Sequence, residues 1–324
     1  MYCIEVDASG GLRESRRSRP TAGPGEVVIQ VVAAGMNRAD LVQRQGGYPP
    51  PPGASDLLGL EVSGHLTEVG PGVTQWKAGD AVCALLPGGG YAQYCVAAAS
   101  LCLPVPRPLD TETAAALPEA AFTAWTMIWQ LGGLQPGERV LVHGGASGVG
   151  TLALRMLAAM GHTAYATAGS PEKCALCLEM GAQAAIDYRT EDFVERVRAL
   201  TDGKGVNVVL DMVGGDYVAR DLRSMAVGGR LVLVAFQGGS SATFDIPRLM
   251  TRQLTIAGAT LRHRPEAFKA RIAAELHEHI WPLIKQGRIH PFIDSRYPLA
   301  QAAEAHERLA SGVARGKILL LPDS

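Results

Sequence analysis

The chain has 324 residues, 47% of them apolar, with 30 Lys and Arg against 31 Asp and Glu. That length favours two domains over a single core, and the charge balance excludes the basic field that gathers nucleic acid or an anionic membrane surface. No stretch is long and apolar enough to cross a membrane, the N-terminus lacks a signal-peptide pattern, and the six cysteines have no disulfide-framework spacing, so a cytoplasmic protein is expected.

From residue 1 to about 120, short β-rich runs are cut by turn signals: "GPGEVVIQVVAAG", "GLEVSGHLTEVGPG", "WKAGDAVCALL" and "GGYAQYCVA". They predict a compact, mostly antiparallel β domain. The Arg-rich "RESRRSRP" (13–20) reads as a solvated surface loop. From 121 to 258 the apolar runs "RVLVHG", "TAYATAG", "QAAIDY", "VNVVLDMVG" and "GRLVLVAFQG" alternate with helical segments, which predicts a doubly wound parallel sheet. Ser170-Pro171 supplies an N-cap and an N1 proline, and Gly181 ends that helix. Cys174 and Cys177 fall inside it and read as one turn of an amphipathic helix rather than a redox pair. Thr190-Glu-Asp opens the next helix, with Phe193, Val194, Val197 and Leu200 on its buried face.

The run "LTIAGATL" (254–261) reads as the last strand of that sheet. An uncovered apolar edge predicts a homodimer pairing these strands across a twofold axis. From 259 to 324 the pattern gives a helix from Pro265, another from about Leu299, and a strand "KILLL" that rejoins the first domain. The α/β domain is then an insertion between 1–120 and 259–324.

The loop "HGGASGVG" (143–150) sits between the β run "RVLVH" and the helical run "TLALRMLAAMG", as the first βα turn of a dinucleotide-binding unit does. Gly145 is expected to make the tight turn and Gly150 to allow helix–sheet packing. Ser147 takes the place of the usual second glycine and offers its hydroxyl to a phosphate oxygen, with Gly148 and Val149 beside it at the cofactor. One strand later, Ala168 and Gly169 bring no carboxylate to accept from a ribose hydroxyl. Ser170 and Lys173 follow at a helix N-terminus, which favours the 2′-phosphate of NADPH. Tyr188 is expected beside the adenosine, or simply as a turn tyrosine.

These features run together with "MNRADLVQRQGGYPPPPGAS" (36–55), "LGLEVSGHLTEVGPGV" (58–73), "GDAVCALLPGGGYAQY" (79–94), "LPEAAFTAW" (117–125), "DMVGG" (211–215) and "GKILL" (316–320). On those residues the chain resembles the zinc-independent quinone oxidoreductases of the medium-chain dehydrogenase/reductase superfamily, especially the p53-inducible subgroup. The resemblance implies a GroES-like catalytic domain, an inserted Rossmann domain, NADPH as cofactor and a homodimer. Zinc members carry Cys and His where this chain has Asn37 and Leu60, and Leu60 has no lone pair for a metal, so no metal is expected. The resemblance places Asn37, Asp40 and the "GGYPPPP" loop at the substrate mouth. Tyr48 is then a hydrogen-bond or proton donor to the acceptor, and Asn37 a catalytic and cofactor contact, or a turn residue. Thr123, Gly214, Phe236, Gln237 and Gly238 are expected at the cofactor, and Lys317 at its 2′-phosphate or as a surface lysine.

Without a Lewis acid, reduction of an electron-poor acceptor is favoured over alcohol oxidation. The sequence therefore points to an NADPH:quinone reductase. Reduction of an alkenal or enoyl C=C bond, and a non-catalytic NADPH-binding role, stay open as alternatives.

Overall fold

The computed structural model describes residues 1–322. Two compact units emerge: Met1–Phe122 with the chain from Leu261 onward, and Thr123–Thr260.

In the first unit the strand Glu26–Gly35 is the hub. Nearly all of its ten residues are buried or half-buried, as its almost unbroken apolar run requires. It pairs antiparallel with Glu61–Val69, Tyr94–Ala98 and Lys317–Leu321. Ala81–Leu85 and Cys102–Pro104 extend the sheet beyond Glu61–Val69, and Ile293–Pro298 lies parallel to Lys317–Leu321. Val27, Ile29, Val62, Leu66, Ile318 and Leu320 share one core with Tyr91. The Arg-rich segment is not the solvated loop the sequence suggested. Leu12–Arg16 is a strand paired with Tyr2–Val6, and Arg13 and Arg17 both meet Glu5. A facing carboxylate on the partner strand made the charged run compatible with a ladder.

The second unit holds six parallel strands: β1 (Arg139–Val142), β2 (Thr163–Ala168), β3 (Ala184–Asp187), β4 (Val206–Asp211), β5 (Met225–Leu233) and β6 (Thr255–Gly258). Their spatial order is β3-β2-β1-β4-β5-β6. The order reverses between β1 and β4, which is where open α/β sheets place their ligands. Helices α1 (Gly148–Ala159), α2 (Pro171–Glu179), α3 (Phe193–Leu200) and α4 (Tyr217–Ser224) connect the strands. Helix α3 begins later than Thr190. Asp192 caps it by accepting from the N–H groups of Val194 and Glu195, while Thr190 and Glu191 close a turn on the Asp187 carbonyl. Ahead of β1, Trp125–Leu131 is a π-helix. No helix among the described residues is long and apolar enough to cross a membrane.

Candidate active site

The glycine-rich loop turns at the C-terminal end of β1, and its glycines divide their roles differently from the expectation. Gly144, not Gly145, carries the left-handed conformation, with φ of 62°. Gly145 allows close packing instead: a Cβ there would stand 2.7 Å from the Ala166 Cβ and 2.8 Å from the Cys177 Sγ. Gly150 lets α1 approach the loop, since a Cβ there would lie 2.3 Å from the Gly144 carbonyl oxygen. Ser147 is the N-cap of α1, its Oγ accepting from the Gly150 N–H at 3.0 Å. Gly148 and Val149 form the first turn, where N–H groups lack intrahelical acceptors and the dipole favours an anion.

Neighbouring strand ends converge on this loop. Gly169 and Ser170 follow β2, and Ser170 caps α2 by accepting from the Lys173 N–H. Tyr188 follows β3 and its hydroxyl reaches across to Gly169, where a Cβ would stand 2.4 Å away. After β4, Gly214 (φ 67°) donates to both oxygens of Asp211 and bridges to Gly239. After β5, Gln237 and Gly238 donate to the carbonyls of Met212 and Val213, and Phe236 is 67% exposed. Thr123 is buried in the helix Pro118–Ala124. Directly beneath the loop, His143 is wholly buried between the Thr167 hydroxyl and the Asp221 carboxylate. Burial pushes Asp221 up to about 6, against the opposing pull of His143. Cys177 is likewise pushed up to about 12 by burial, so it holds no thiolate for redox chemistry.

In the first unit, Lys317 corrects an expectation. Its side chain is 2% exposed, and its ammonium donates to the Met36 carbonyl, to Asn37 Oδ1 and to Glu61 Oε1. All three hydrogens are committed inside the unit, so none remains for a nucleotide phosphate. For Asn37 the structure follows the turn-residue alternative, as the N-cap of the helix Arg38–Arg44. Its Nδ2 donates to Glu61 Oε1 at 2.8 Å and to the Gly35 carbonyl at 3.3 Å, so this half-buried side chain has both amide hydrogens committed to the polar cluster around Glu61. Glu61 completes the cluster by accepting from the Glu119 N–H through Oε2. Removal from water, then the neighbouring Glu61, push the Glu119 carboxyl up to about 7.

Tyr48 is half-buried, packed edge-on against His263 with the Arg262 guanidinium 5.1 Å from its ring centre. Arg262 donates to the Tyr48 carbonyl at 2.8 Å and to the Pro87 carbonyl at 2.7 Å, pinning the proline-rich loop. Asp40 is fully buried, accepting from the N–H groups of Asn37 and Gly59 and from the Tyr91 hydroxyl. Glu61, Glu119, Arg262 and Tyr91 were missed by sequence reasoning. Only Glu61 and Lys317 left a trace there: each is a charged residue opening a strand whose next residues are largely apolar, and two such charges of opposite sign invite pairing.

A sequence profile described as "Zinc-binding dehydrogenase" matches residues 148–278, and one described as "Alcohol dehydrogenase GroES-like domain" matches 23–107. A quinone oxidoreductase of Rattus norvegicus is 32% identical over 298 residues, covering 91% of this chain and 89% of that protein. A mycocerosic acid synthase-like polyketide synthase of Mycobacterium tuberculosis is 32% identical across 93% of this chain, which spans only 14% of that protein's length. Among solved structures, the Escherichia coli quinone oxidoreductase complexed with NADPH superposes with a TM-score of 0.87 at 29% identity, covering 99% of both chains.

Proposed function

Because the chain belongs to the medium-chain dehydrogenase/reductase superfamily, we propose that it is an NADPH-dependent quinone reductase that works without a metal, of the p53-inducible kind. The tip of β2 carries this reading. Ala168, Gly169 and Ser170 offer the ribose no carboxylate, and the first turn of α2 brings Lys173 instead. The residues fit the dinucleotide: Gly145 and Gly150 keep the loop free of side chains, Gly148 and Val149 present N–H groups to the pyrophosphate, and Tyr188 flanks the adenosine side. Bound there, NADPH supplies a hydride.

A metal is not expected at the former ligand positions, since Leu60 has no lone pair and Asn37 Oδ1 accepts from the Lys317 ammonium. The protein's task is to position the acceptor and exclude water. Tyr48, held by Arg262, hydrogen-bonds an acceptor oxygen. The edge strand β6 serves as the contact of a homodimer.

Lys173→Ala is expected to erode the preference for NADPH while leaving NADH affinity nearly unchanged, as read by fluorescence titration of both nucleotides. Equal affinities in the parent protein would remove the basis for that preference.

The function itself is tested by NADPH consumption with ortho-quinones, para-quinones and enals. A quinone that accepts hydride becomes a hydroquinone anion protonated by solvent, so Tyr48→Phe should lower kcat on a quinone only slightly. An enal or enoyl acceptor leaves a basic carbon, where a positioned acid contributes typically ~10²–10⁴-fold. Tyr48 and Glu119, whose carboxyl burial pushes up to about 7, are the acids that keep this second reading in view. A large loss confined to enals would establish it. No turnover with any acceptor, despite tight NADPH binding, would favour the non-catalytic role.

A further inference from the structure

Beneath the glycine-rich loop, side chains from three elements form one buried hydrogen-bonded row. His143 follows β1 and immediately precedes Gly144, Thr167 lies in β2, and Asp221 lies in α4. His143 Nδ1 meets the Thr167 hydroxyl at 2.9 Å and Nε2 meets Asp221 Oδ1 at 2.7 Å, and none of the three residues is more than 1% exposed. Thr167 also holds the loop directly, its carbonyl accepting from the Gly145 N–H at 3.0 Å. The rings of Phe193 and Tyr217 stand edge-on to the imidazole at 4.8 and 5.0 Å. Asp221 Oδ2 is buried with no hydrogen-bond partner among the described residues, so half of an ionised carboxylate there is left uncompensated.

The row has two protonation states, and its hydrogen-bond pattern is fixed in each. With the Asp221 carboxylate ionised, Nε2 carries the ring hydrogen and donates to it, and Nδ1 accepts from the Thr167 hydroxyl. An added proton goes to the carboxyl or to the ring. In both cases Nδ1 gains a hydrogen, and the Thr167 hydroxyl turns from donor to acceptor. The pair loses its negative charge in the same step.

The group that the loop is read to hold is an anion, the pyrophosphate on the N–H groups of Gly148 and Val149. An ionised carboxylate buried beneath that turn repels it, in a medium that screens poorly. We propose that the His143–Asp221 pair takes up a proton when the nucleotide binds, so that the row under the loop is ionised in the free protein and neutral in the complex. The inference rests on the nucleotide occupying this loop. It assigns His143 and Asp221 as positioning residues that act on the cofactor through charge and through the Thr167 bond, without touching it.

Burial pushes Asp221 up to about 6; His143 opposes it, Asp211 adds to it, and Arg220 opposes it again. Asp211 accepts from the N–H groups of Val213 and Gly214, while Arg220 covers the Phe193 ring and pairs with Asp192. Burial pushes the Tyr217 hydroxyl up, so it stays uncharged. The other histidine of this unit, His162, precedes β2 and lies at the opposite end of the sheet. Because the complex favours the protonated pair, affinity should rise by about tenfold as pH falls from about 8 to about 6.

Fluorescence titration of the full chain with NADH across that range tests the proposal. NADH is the probe because the 2′-phosphate of NADPH gains a proton of its own near pH ~6. Asp221→Asn is neutral at every pH, so at about pH 8 it should bind NADH about tenfold tighter than the parent, with no slope left. A carboxylate that only holds the fold together gives the opposite result, weaker binding. Glu119, pushed up to about 7, titrates in the same range, but a slope it caused would survive Asp221→Asn. A flat parent profile, a surviving slope or weaker binding by the variant would each overturn the proposal. No binding of NADH or NADPH at any pH would remove the nucleotide reading of the loop, and the inference with it. If the variant does not fold, the ring ¹⁵N resonances of His143 in the parent decide. Near pH ~6.5, Nδ1 must gain its hydrogen on adding NADH, and unchanged resonances overturn the proposal.

Discussion

Lys317→Met is expected to cost about 3–5 kcal/mol of stability, because it strands the Glu61 carboxylate in a site with no water to replace the ammonium. Glu61 is fully buried and keeps only the Asn37 amide and the Glu119 N–H as partners once the lysine is gone. The double variant Lys317→Met/Glu61→Gln removes both charges and should recover much of the loss, since neutral amides tolerate burial far better than a lone ion. Native-state hydrogen exchange is the suitable readout. Protection should fall in the strand Glu26–Gly35, which pairs with both Glu61–Val69 and Lys317–Leu321, and hold in β1 of the other unit. A double variant as unstable as the single one would mean that the lysine stem's packing, not its charge, supports the fold.

Gly150→Ala is expected to weaken NADPH binding by roughly a hundredfold, because overpacking of about 1–3 kcal/mol falls directly on the phosphate loop. The added methyl would stand 2.3 Å from the Gly144 oxygen and 2.8 Å from the Gly145 Cα. Both contacts are backbone, so no side chain can rotate away and the loop itself must shift. Fluorescence titration measures the effect, and Ser147→Ala separates it from loss of the helix cap. Capping contributes about 1 kcal/mol to the helix, so that change should appear chiefly in stability. An affinity for Gly150→Ala within about threefold of the parent's would show that the loop absorbs the methyl without displacing its N–H groups.

What could be read in advance divides along local and distant contacts. The α/β unit was legible because each strand, turn and helix announces itself within a few residues. The division of labour among Gly144, Gly145 and Gly150 was not, since adjacent glycines are interchangeable on paper and only the fold assigns the left-handed one. Lys317 was misplaced because its partners lie 280 and 256 residues away. A lysine in a strand near a chain end reads as exposed until the facing carboxylate is known. Asp192, not Thr190, caps α3 because the Asp187 carbonyl captures the earlier N–H groups in a turn, a competition between neighbours that spacing alone does not rank. The Thr167–His143–Asp221 row joins three separate segments, and no periodicity marks any of them.

The arrangement of the strand Lys317–Leu321 also sets an order of events during synthesis. Thr123–Thr260 is continuous in sequence, so its sheet is complete before the last segment leaves the ribosome. The other unit must wait. Its hub strand pairs through Ala34 and Gly35 with Leu320 and Leu319, and Lys317 brings the only ammonium within ion-pair distance of Glu61 among the described residues. Until then, the nascent β unit carries an open edge and an uncompensated acid, exposed for as long as the intervening domain takes to be made. Chaperone dependence should therefore concentrate in the unit whose two halves are separated in time, although it is the one that begins first.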